Sequence, residues 1–246
     1  QEDFVMISYE TMESNKEIGV LGGQSIAEYE VLPKPWFKDW KNSFAIGRQG
    51  NKEGDITWTT GFVWGASMVV RKEAWENLVS KGFRSILTDR KGNTLSAGGD
   101  TEICYALRNE GWKIWYNPGL KFRHYISSGR LNWKYLRKLF RGFGNASAGL
   151  DEYRKKIPER LLKESGEKKP ASVRYELHKA LKVLRKTRYK KLLSFKRRRE
   201  GDTDIPMLEY TSGRIESLLK TKGSYNRGIK LLKKTARKND FKYLSS

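Results

Sequence analysis

The sequence predicts an α/β domain followed by a strongly basic α-helical region. Over the first 150 residues, strand-like apolar runs alternate with helical spacing: a helical pattern at 100–110 lies between runs at 18–21 and 113–116. Apolar residues make up 37% of the 246 residues and aromatic residues 12%, which is enough for a sizeable core. Residues 151–246 carry most of the net positive charge, and leucines recur there at helical spacing.

The stretch from Ala97 to Ile126 organises the prediction. Gly98 and Gly99 allow a tight turn, because glycine adopts backbone angles that other residues avoid. The turn places Asp100 at the start of a helix, where it is a candidate N-cap, and Gly111 is in position to end that helix.

Strands are predicted on both sides of this helix from their content of β-forming residues. The predicted strands are Ile18–Leu21, Thr57–Val63, Ala66–Val70, Lys113–Tyr116 and Leu120–Ile126. We expect Gly22 and Gly23 to end the first strand, and a turn at Asn117–Gly119 to separate the last two. Further helices are predicted at Phe4–Lys16, Lys72–Lys81 and Leu131–Phe143, from Val173 onward, and as a pair at Ile215–Lys238.

Composition excludes several classes of protein. The longest apolar runs, such as Gly61–Val70, are about half the length that spans a bilayer, and no basic segment followed by an apolar one begins the chain. We therefore expect no membrane span and no signal peptide. The single cysteine, Cys104, excludes an intrachain disulfide and a cysteine-rich zinc site, and its apolar neighbours predict a small buried side chain. The cytosol is the expected compartment.

The net charge of +22 is unevenly distributed. Residues 1–150 contain 21 Lys and Arg against 16 Asp and Glu, whereas residues 151–246 contain 29 against 12. Such a basic region attracts anionic membranes, nucleic acids or phosphorylated ligands, and charge alone does not choose among them.

Six segments together resemble family 2 glycosyltransferases, over residues 18 to about 153. They are IGVLGG from Ile18, WFKDWKNSFAIGRQG from Trp36, GDITW from Gly54, WGASMVVRKEAW from Trp64, AGGDTEICYALRNEGWKIWYNP from Ala97, and RLNWKYLRKLFRGFGNASAG from Arg130. Each segment alone is a weak signal, and the specificity comes from their order. The resemblance implies the C-terminal half of a GT-A domain, which is a Rossmann-like fold that binds nucleotide-diphospho-sugars.

The resemblance implies an inverting transfer of a sugar in which Asp100 is the general base, and being a helix cap is the structural alternative for this residue. Glu102 either orients the base or only favours the helix dipole. Because Ser127–Leu131 departs from the Gln-x-x-Arg-Trp motif of polymerising members, we expect transfer of a single sugar.

The resemblance also implies binding residues. Trp64, Gly65, Ala66 and Gly99 would border the substrates, and Arg130 either meets the donor diphosphate or is an exposed cation. His124 is a candidate ligand of a divalent metal, Mn or Mg, or a structural histidine. The remaining ligands would come from an Asp-x-Asp motif outside this chain, because Asp202 and Asp204 have the right spacing but lie in a basic, loop-like segment.

Two regions are therefore expected, 1–150 as the C-terminal half of the catalytic domain and 151–246 as a basic helical tail. We expect the chain to be a fragment, inactive without the nucleotide-binding half. The expected partners are a nucleotide-sugar donor, a glycan or lipid-linked acceptor and an anionic membrane surface, which the Val173–Leu193 helix would contact at the inner face of the cell membrane. This fits bacterial polysaccharide synthesis for the cell envelope.

Two other classes of function remain as alternatives. A protein that binds nucleic acid would explain the run of cations at Lys196–Arg199, but few aromatic residues in the tail are placed for stacking on bases. A noncatalytic scaffold would keep the fold and lack the chemistry of Asp100.

Overall fold

The computed structural model describes residues 3–87, 97–161, 169–193 and 200–220. These residues form a mixed α/β structure around a four-stranded sheet. The strands are β1 (Ile18–Tyr29), β2 (Gly54–Asp55), β3 (Val69–Val70) and β4 (Lys113–Ile126), in the order β2-β4-β1-β3. The helices are α1 (Asp3–Ser14), α2 (Lys72–Ser80), α3 (Gly99–Asn109), α4 (Trp133–Lys155), α5 (Val173–Leu193) and α6 (204–220). The α/β class expected from the sequence is confirmed.

The centre of the sheet is the parallel pair β1 and β4, and the two short outer strands run antiparallel to their neighbours. A parallel pair requires a long crossover connection, which here contains α2 and α3. The buried side chains of Val20 and Ile114 pack against Leu107 of α3 and Leu78 of α2. Burial of these apolar side chains fixes α3 on one face of the sheet.

A bulge in the pair β1 and β4 lies where the sequence predicts the end of one strand and a turn between two others. Gly22 pairs with Tyr116 and Gln24 with Lys121, so residues 117–120 of β4 lie opposite the single residue Gly23. A Cβ atom on Gly23 would lie 2.0 Å from the carbonyl oxygen of Leu120, so no larger residue fits there. The predicted end of β1 and the predicted turn in β4 are therefore wrong, because both glycine-rich signals belong to one irregularity within a continuous pair of strands.

The two strands predicted between 57 and 70 are also wrong except for Val69–Val70. Residues 57–60 form a turn, and a 3-10 helix spans Gly65–Ser67. The carboxylate of Asp55 accepts a hydrogen bond from the Thr57 N–H at 2.8 Å, and the Ile56 carbonyl accepts one from the Gly61 N–H at 2.8 Å. Such local hydrogen bonds compete with a strand ladder, despite the β-forming side chains.

The aromatic loop after β1 packs against the N-terminal half of α4. Trp36, Phe37 and Phe44 are buried together with Ile126 and Leu136. Phe37 lies 5.5 Å from the ring of Tyr29 in an edge-on contact. These contacts are typical of a core, and only Phe44 of these rings reaches the cavity described below.

The C-terminal helices continue the domain instead of forming a separate tail. The boundary expected between residues 150 and 151 lies inside α4. Glu209 of α6 accepts from Arg137 at 2.5 Å and pairs with Arg141 at 3.0 Å. At the other end of the contact, Arg214 pairs with Asp151 at 2.8 Å.

The α4 and α6 helices approach closely at two glycines. A Cβ atom on Gly144 would lie 1.9 Å from the carbonyl oxygen of Tyr210, and one on Gly213 would lie 2.1 Å from the carbonyl oxygen of Arg141. The two backbones are therefore in contact at this crossing.

Within the described ranges, no helix is both long enough and apolar enough to cross a membrane.

Two leucines of the stripe predicted as the membrane contact of α5, Leu177 and Leu181, face the protein. Ala180 is buried and Leu177 and Leu181 are half-buried, while Glu176 pairs with Arg214 at 3.2 Å. The exposed side of α5 carries the cations Arg174, Lys179, Lys182, Arg185 and Lys186. The Lys196–Arg199 run, and most of the helical pair expected at Ile215–Lys238, lie outside the described residues.

We predict that Gly144→Ala destabilises the protein even though alanine favours helices by about 1 kcal/mol over glycine. The added methyl group would force α4 away from α6, at a cost of about 1–3 kcal/mol, so the free energy of unfolding should fall in urea titrations. Gly129→Ala is the control, because a Cβ atom at Gly129 has no heavy atom within 4 Å. Equal stability of the two variants would contradict the close crossing.

Candidate active site

The turn before α3 requires a glycine at residue 98. Gly98 is the N-cap of the helix with φ of 102°, in the left-handed region that side chains disfavour. A Cβ atom there would also lie 3.0 Å from the Cβ of Ala146 on α4. Asp100 is consequently the second residue of α3, and its prediction as the N-cap is wrong. The end of the helix is as predicted, since Gly111 follows the C-cap Glu110 with φ of 95°.

Two backbone N–H groups hold the carboxylate of Asp100. Gly65 donates to Oδ2 at 2.9 Å, and Thr101 donates to Oδ1 at 2.7 Å. The Thr101 hydroxyl also lies 3.4 Å from Oδ1, whereas Oδ2 accepts from Gly65 alone among the described residues and keeps a lone pair that can accept from a ligand. The first turn of a helix also favours a negative charge. Asp100 is thus an oriented acceptor at the edge of a cavity.

Gln49 fixes the loop that supplies one of these donors. Its side chain is buried, accepts from the Trp64 N–H at 2.5 Å and donates to the Gly23 carbonyl at 2.8 Å. The next N–H along the chain, that of Gly65, is the one that Asp100 accepts. A Cβ atom on Gly65 would lie 3.3 Å from the Cβ of Asp100, so the close approach of the two segments favours glycine here.

The cavity beside Asp100 has a volume of about 920 Å³, within the usual range for ligand pockets. It lies between the loops at 42–45 and 62–65, the start of α3, and the helices α4 and α6. Predicted site residues Trp64, Gly65, Asp100 and Arg130 line it together. The other lining residues are Asn42, Ser43, Phe44, Ala45, Phe62, Ala97, Gly98, Thr101, Tyr105, Leu139, Phe140, Phe143, Ala146, Ser147, Leu150, Arg154, Met207 and Tyr210.

Two arginines line the cavity and differ in their partners. Arg154 pairs with Asp151 at 3.1 Å and donates to the hydroxyl of Tyr105 at 3.2 Å. Arg130 donates from Nε to the hydroxyl of Tyr135 at 3.2 Å, and no carboxylate of the described residues pairs with it. Arg130 is therefore the cation that can compensate a negative ligand.

Glu102 does not line the cavity. It is fully buried and accepts four hydrogen bonds: from the Ser85 hydroxyl at 2.5 Å, the N–H groups of Ile86 at 2.7 Å and Leu87 at 3.0 Å, and the Tyr153 hydroxyl at 2.7 Å. Burial, and next the hydrogen bond to Glu102, raise the pKa of Tyr153, which therefore remains a donor at neutral pH. This arrangement gives Glu102 a positioning role and no direct contact with a ligand in the cavity.

His124 lies half-buried on β4, with Nδ1 3.2 Å from the carbonyl oxygen of Ala45. Burial lowers the pKa of His124, and the charge of Arg130 lowers it further against the effect of that hydrogen bond. A neutral imidazole that donates from Nδ1 to Ala45 would leave Nε2 as a possible ligand. In the part of the chain that is described, however, no three His, Cys, Asp or Glu side chains lie close enough together to hold a metal ion.

The remaining predicted residues lie near the site without lining the cavity. Ala66 is exposed within the 3-10 helix after Gly65, and Gly99 is the buried first residue of α3. Cys104 is buried as predicted, and burial raises the pKa of its thiol to about 12. Sequence reasoning missed Gln49 and Tyr153. Gln49 bonds to Trp64, which is 15 residues away along the chain, and Tyr153 bonds to Glu102, which is 51 residues away. No local pattern marks such partners.

Compared with protein-family models, with curated proteins and with solved structures, the chain finds no match in any of the three.

We predict that Glu102→Gln destabilises the protein by about 2–4 kcal/mol, measured by urea titration. A glutamine amide group would face a backbone N–H donor whichever way it is oriented, because each oxygen of Glu102 accepts from one backbone N–H and one hydroxyl, and only the hydroxyl can turn to accept. Tyr153→Phe is the milder comparison, since it removes one donor and should cost about 1 kcal/mol. If the glutamine variant were as stable as the native protein, the four hydrogen bonds to Glu102 would not stabilise the fold.

Proposed function

We propose that the chain is part of an inverting glycosyltransferase that moves a single sugar from a nucleotide-diphospho-sugar to an acceptor hydroxyl. The observation that carries the proposal is the carboxylate of Asp100, which two N–H groups orient at the edge of a large cavity. The order of segments that resembles family 2 glycosyltransferases supports it, as does the mixed α/β class. A GT-A fold, completed by a nucleotide-binding half, is part of the proposal.

In the proposed reaction, Asp100 takes the proton of the acceptor hydroxyl as its oxygen attacks the anomeric carbon. A new glycosidic bond forms on one face of the sugar while the bond to the nucleoside diphosphate breaks on the other, so the configuration inverts. The leaving diphosphate takes up the electron pair of the broken bond. Asp100 needs only to hold its orientation during this step, which the N–H groups of Gly65 and Thr101 provide.

Arg130 is the residue proposed to compensate the charge of the leaving diphosphate. It lines the same cavity as Asp100 and pairs with no carboxylate of the described residues. A guanidinium group binds phosphate oxygens through two parallel hydrogen bonds, which suits this role. Trp64 and Gly65 are proposed to border the donor sugar, with Ala66 and Gly99 supporting the two loops.

A divalent metal, Mn or Mg, would stabilise the same diphosphate when bound. His124 supplies one candidate ligand atom, and the described residues do not complete a metal site around it. The carboxylate ligands are proposed to come from an Asp-x-Asp motif outside this chain.

We further propose that the exposed side of α5 rests on an anionic membrane surface. Five cations lie on that side, and each Lys or Arg near such a surface contributes about 1 kcal/mol of attraction. Since Leu177 and Leu181 pack against the protein, the contact would be electrostatic. A nucleic-acid backbone is the alternative anionic partner, and the test below separates the two.

We predict that Asp100→Asn lowers turnover by about 10²- to 10⁴-fold with donor binding preserved, because asparagine cannot accept the proton. The measurement is release of nucleoside diphosphate from a panel of nucleotide-diphospho-sugars, in protein that includes the proposed nucleotide-binding half. Near-native turnover of this variant would rule out Asp100 as the base.

Asp100→Ala is the control for structural effects in this test. It removes both hydrogen bonds to the carboxylate, whereas asparagine keeps one acceptor oxygen. We expect alanine to cost about 1 kcal/mol more stability than asparagine and to lose the same fraction of turnover. If the loss of turnover in the two variants were instead proportional to their loss of stability, Asp100 would act only by stabilising the fold.

We predict that the double variant Lys179→Glu, Lys182→Glu loses most co-sedimentation with anionic vesicles, and that the native protein binds neutral vesicles weakly at any salt concentration. Lys16→Glu, Lys72→Glu, just after α1 and at the start of α2, is the control with the same change in charge. Equal binding to neutral and anionic vesicles, or tighter binding to single-stranded RNA than to vesicles, would contradict the membrane proposal.

A further inference from the structure

One side of the cavity beside Asp100 is almost entirely apolar. Leu139, Phe143, Ala146 and Leu150 recur at spacings of four, three and four residues, so they lie on one face of α4. Met207 and Tyr210 of α6 lie across from them, and Phe44, Phe62 and Phe140 complete the surface. We call these nine residues the apolar wall.

The apolar wall is long compared with a single sugar ring. From Leu139 to Leu150 it follows eleven residues of α4, which corresponds to about 17 Å along the helix axis. It begins close to Asp100, because Gly98 lies against Ala146 and Leu150. A ligand whose hydroxyl reaches Asp100 therefore has the wall beside it.

The polar side chains of α4 beside this surface already have protein partners. Ser147 donates to the Gly144 carbonyl at 2.7 Å and accepts from Arg214 at 2.9 Å. Arg154 bonds to Asp151 and Tyr105. A sugar hydroxyl placed against Leu139, Phe143 or Ala146 would lose its water and gain no partner from those side chains, which costs free energy. An apolar group placed there would gain free energy from burial.

The chemistry of the wall differs from that around Asp100. Near the carboxylate, the lining includes Thr101 and the backbone N–H groups, and Arg130 can still bind an anion. Along α4 and α6, the lining offers hydrocarbon and aromatic surface. Met207 is 52% exposed where it lines the wall, and an unbranched methionine adapts to apolar ligands of varied shape.

We propose that the acceptor carries an aliphatic group attached next to the sugar or hydroxyl that reacts, and that this group binds along the apolar wall. The proposal deepens the function proposed above and rests on it for the role of the ligand as an acceptor. It narrows the acceptor from a glycan or lipid-linked molecule to an amphipathic one with a lipid-like substituent. The binding itself is testable without any turnover.

The experiment measures binding of a series of alkyl β-glucosides, from methyl to octyl, to the full chain by titration calorimetry below the critical micelle concentrations. We expect affinity to rise by about three- to fourfold for each methylene that the wall buries. Methyl β-glucoside should bind weakly or not at all.

Met207→Glu is the test variant and Leu219→Glu is its matched control. Both residues lie on α6 and both are 52% exposed, so the two variants carry the same change in charge on the same helix, and only Met207 lines the cavity. We expect Met207→Glu to weaken octyl β-glucoside binding by tenfold or more and to flatten the dependence on chain length, since its carboxylate would lose solvation. Leu219→Glu should behave as the native chain.

Two results would overturn the proposal. One is an affinity of the native protein that does not depend on the length of the alkyl group. The other is the same dependence on alkyl length in both glutamate variants, because the alkyl group would then bind elsewhere. Failure of the proposed function gives a different result: alkyl glucosides would still bind along the wall, while Asp100→Asn would leave turnover unchanged.

Discussion

The buried carboxylate of Glu102 joins three parts of the chain that are far apart in sequence. Removing a charge from water is costly, and the four hydrogen bonds from Ser85–Leu87 and Tyr153 offset that cost only in one arrangement of α3 and α4. Side chains two residues apart on a helix project about 200° apart. Burial of Glu102 among these donors therefore turns Asp100 to the opposite side, toward the cavity. The orientation of the proposed base follows from the burial of its neighbour.

A second set of contacts holds Asp100 from the side of the sheet. The amide of Gln49 has only one orientation that satisfies both partners, because the Trp64 N–H needs an acceptor and the Gly23 carbonyl needs a donor. Gly23 belongs to the bulge of β1, so the sheet and the loop at 64–65 are joined through one buried side chain. The carboxylate of Asp100 thus accepts from a loop anchored to the sheet and from its own helix.

Local signals in the sequence were sufficient for α3 and for the location of Asp100. A glycine in the left-handed conformation lies at each end of that helix and is visible in the sequence, and Asp100 lies two residues after the first of them. The same signals misled the prediction at Gly22–Gly23 and Asn117–Gly119, because a bulge between two strands and a turn at the end of a strand use the same residues. Partners of Glu102 and Gln49 depend on packing between distant segments, which no spacing within one segment encodes.

The charge of the C-terminal region has two separate roles that composition could not distinguish. Arg137 and Arg141 pair with Glu209 and Arg214 pairs with Asp151, so these guanidinium groups stabilise the contact between α4 and α6. The side chain of Arg214 is only 14% exposed, and exclusion of water strengthens its pairing. Because α6 supplies Met207 and Tyr210 to the cavity, these ion pairs also hold one side of the apolar wall in place. The basic region therefore completes the cavity beside Asp100, and the cations on the exposed side of α5 are available to attract an anionic surface.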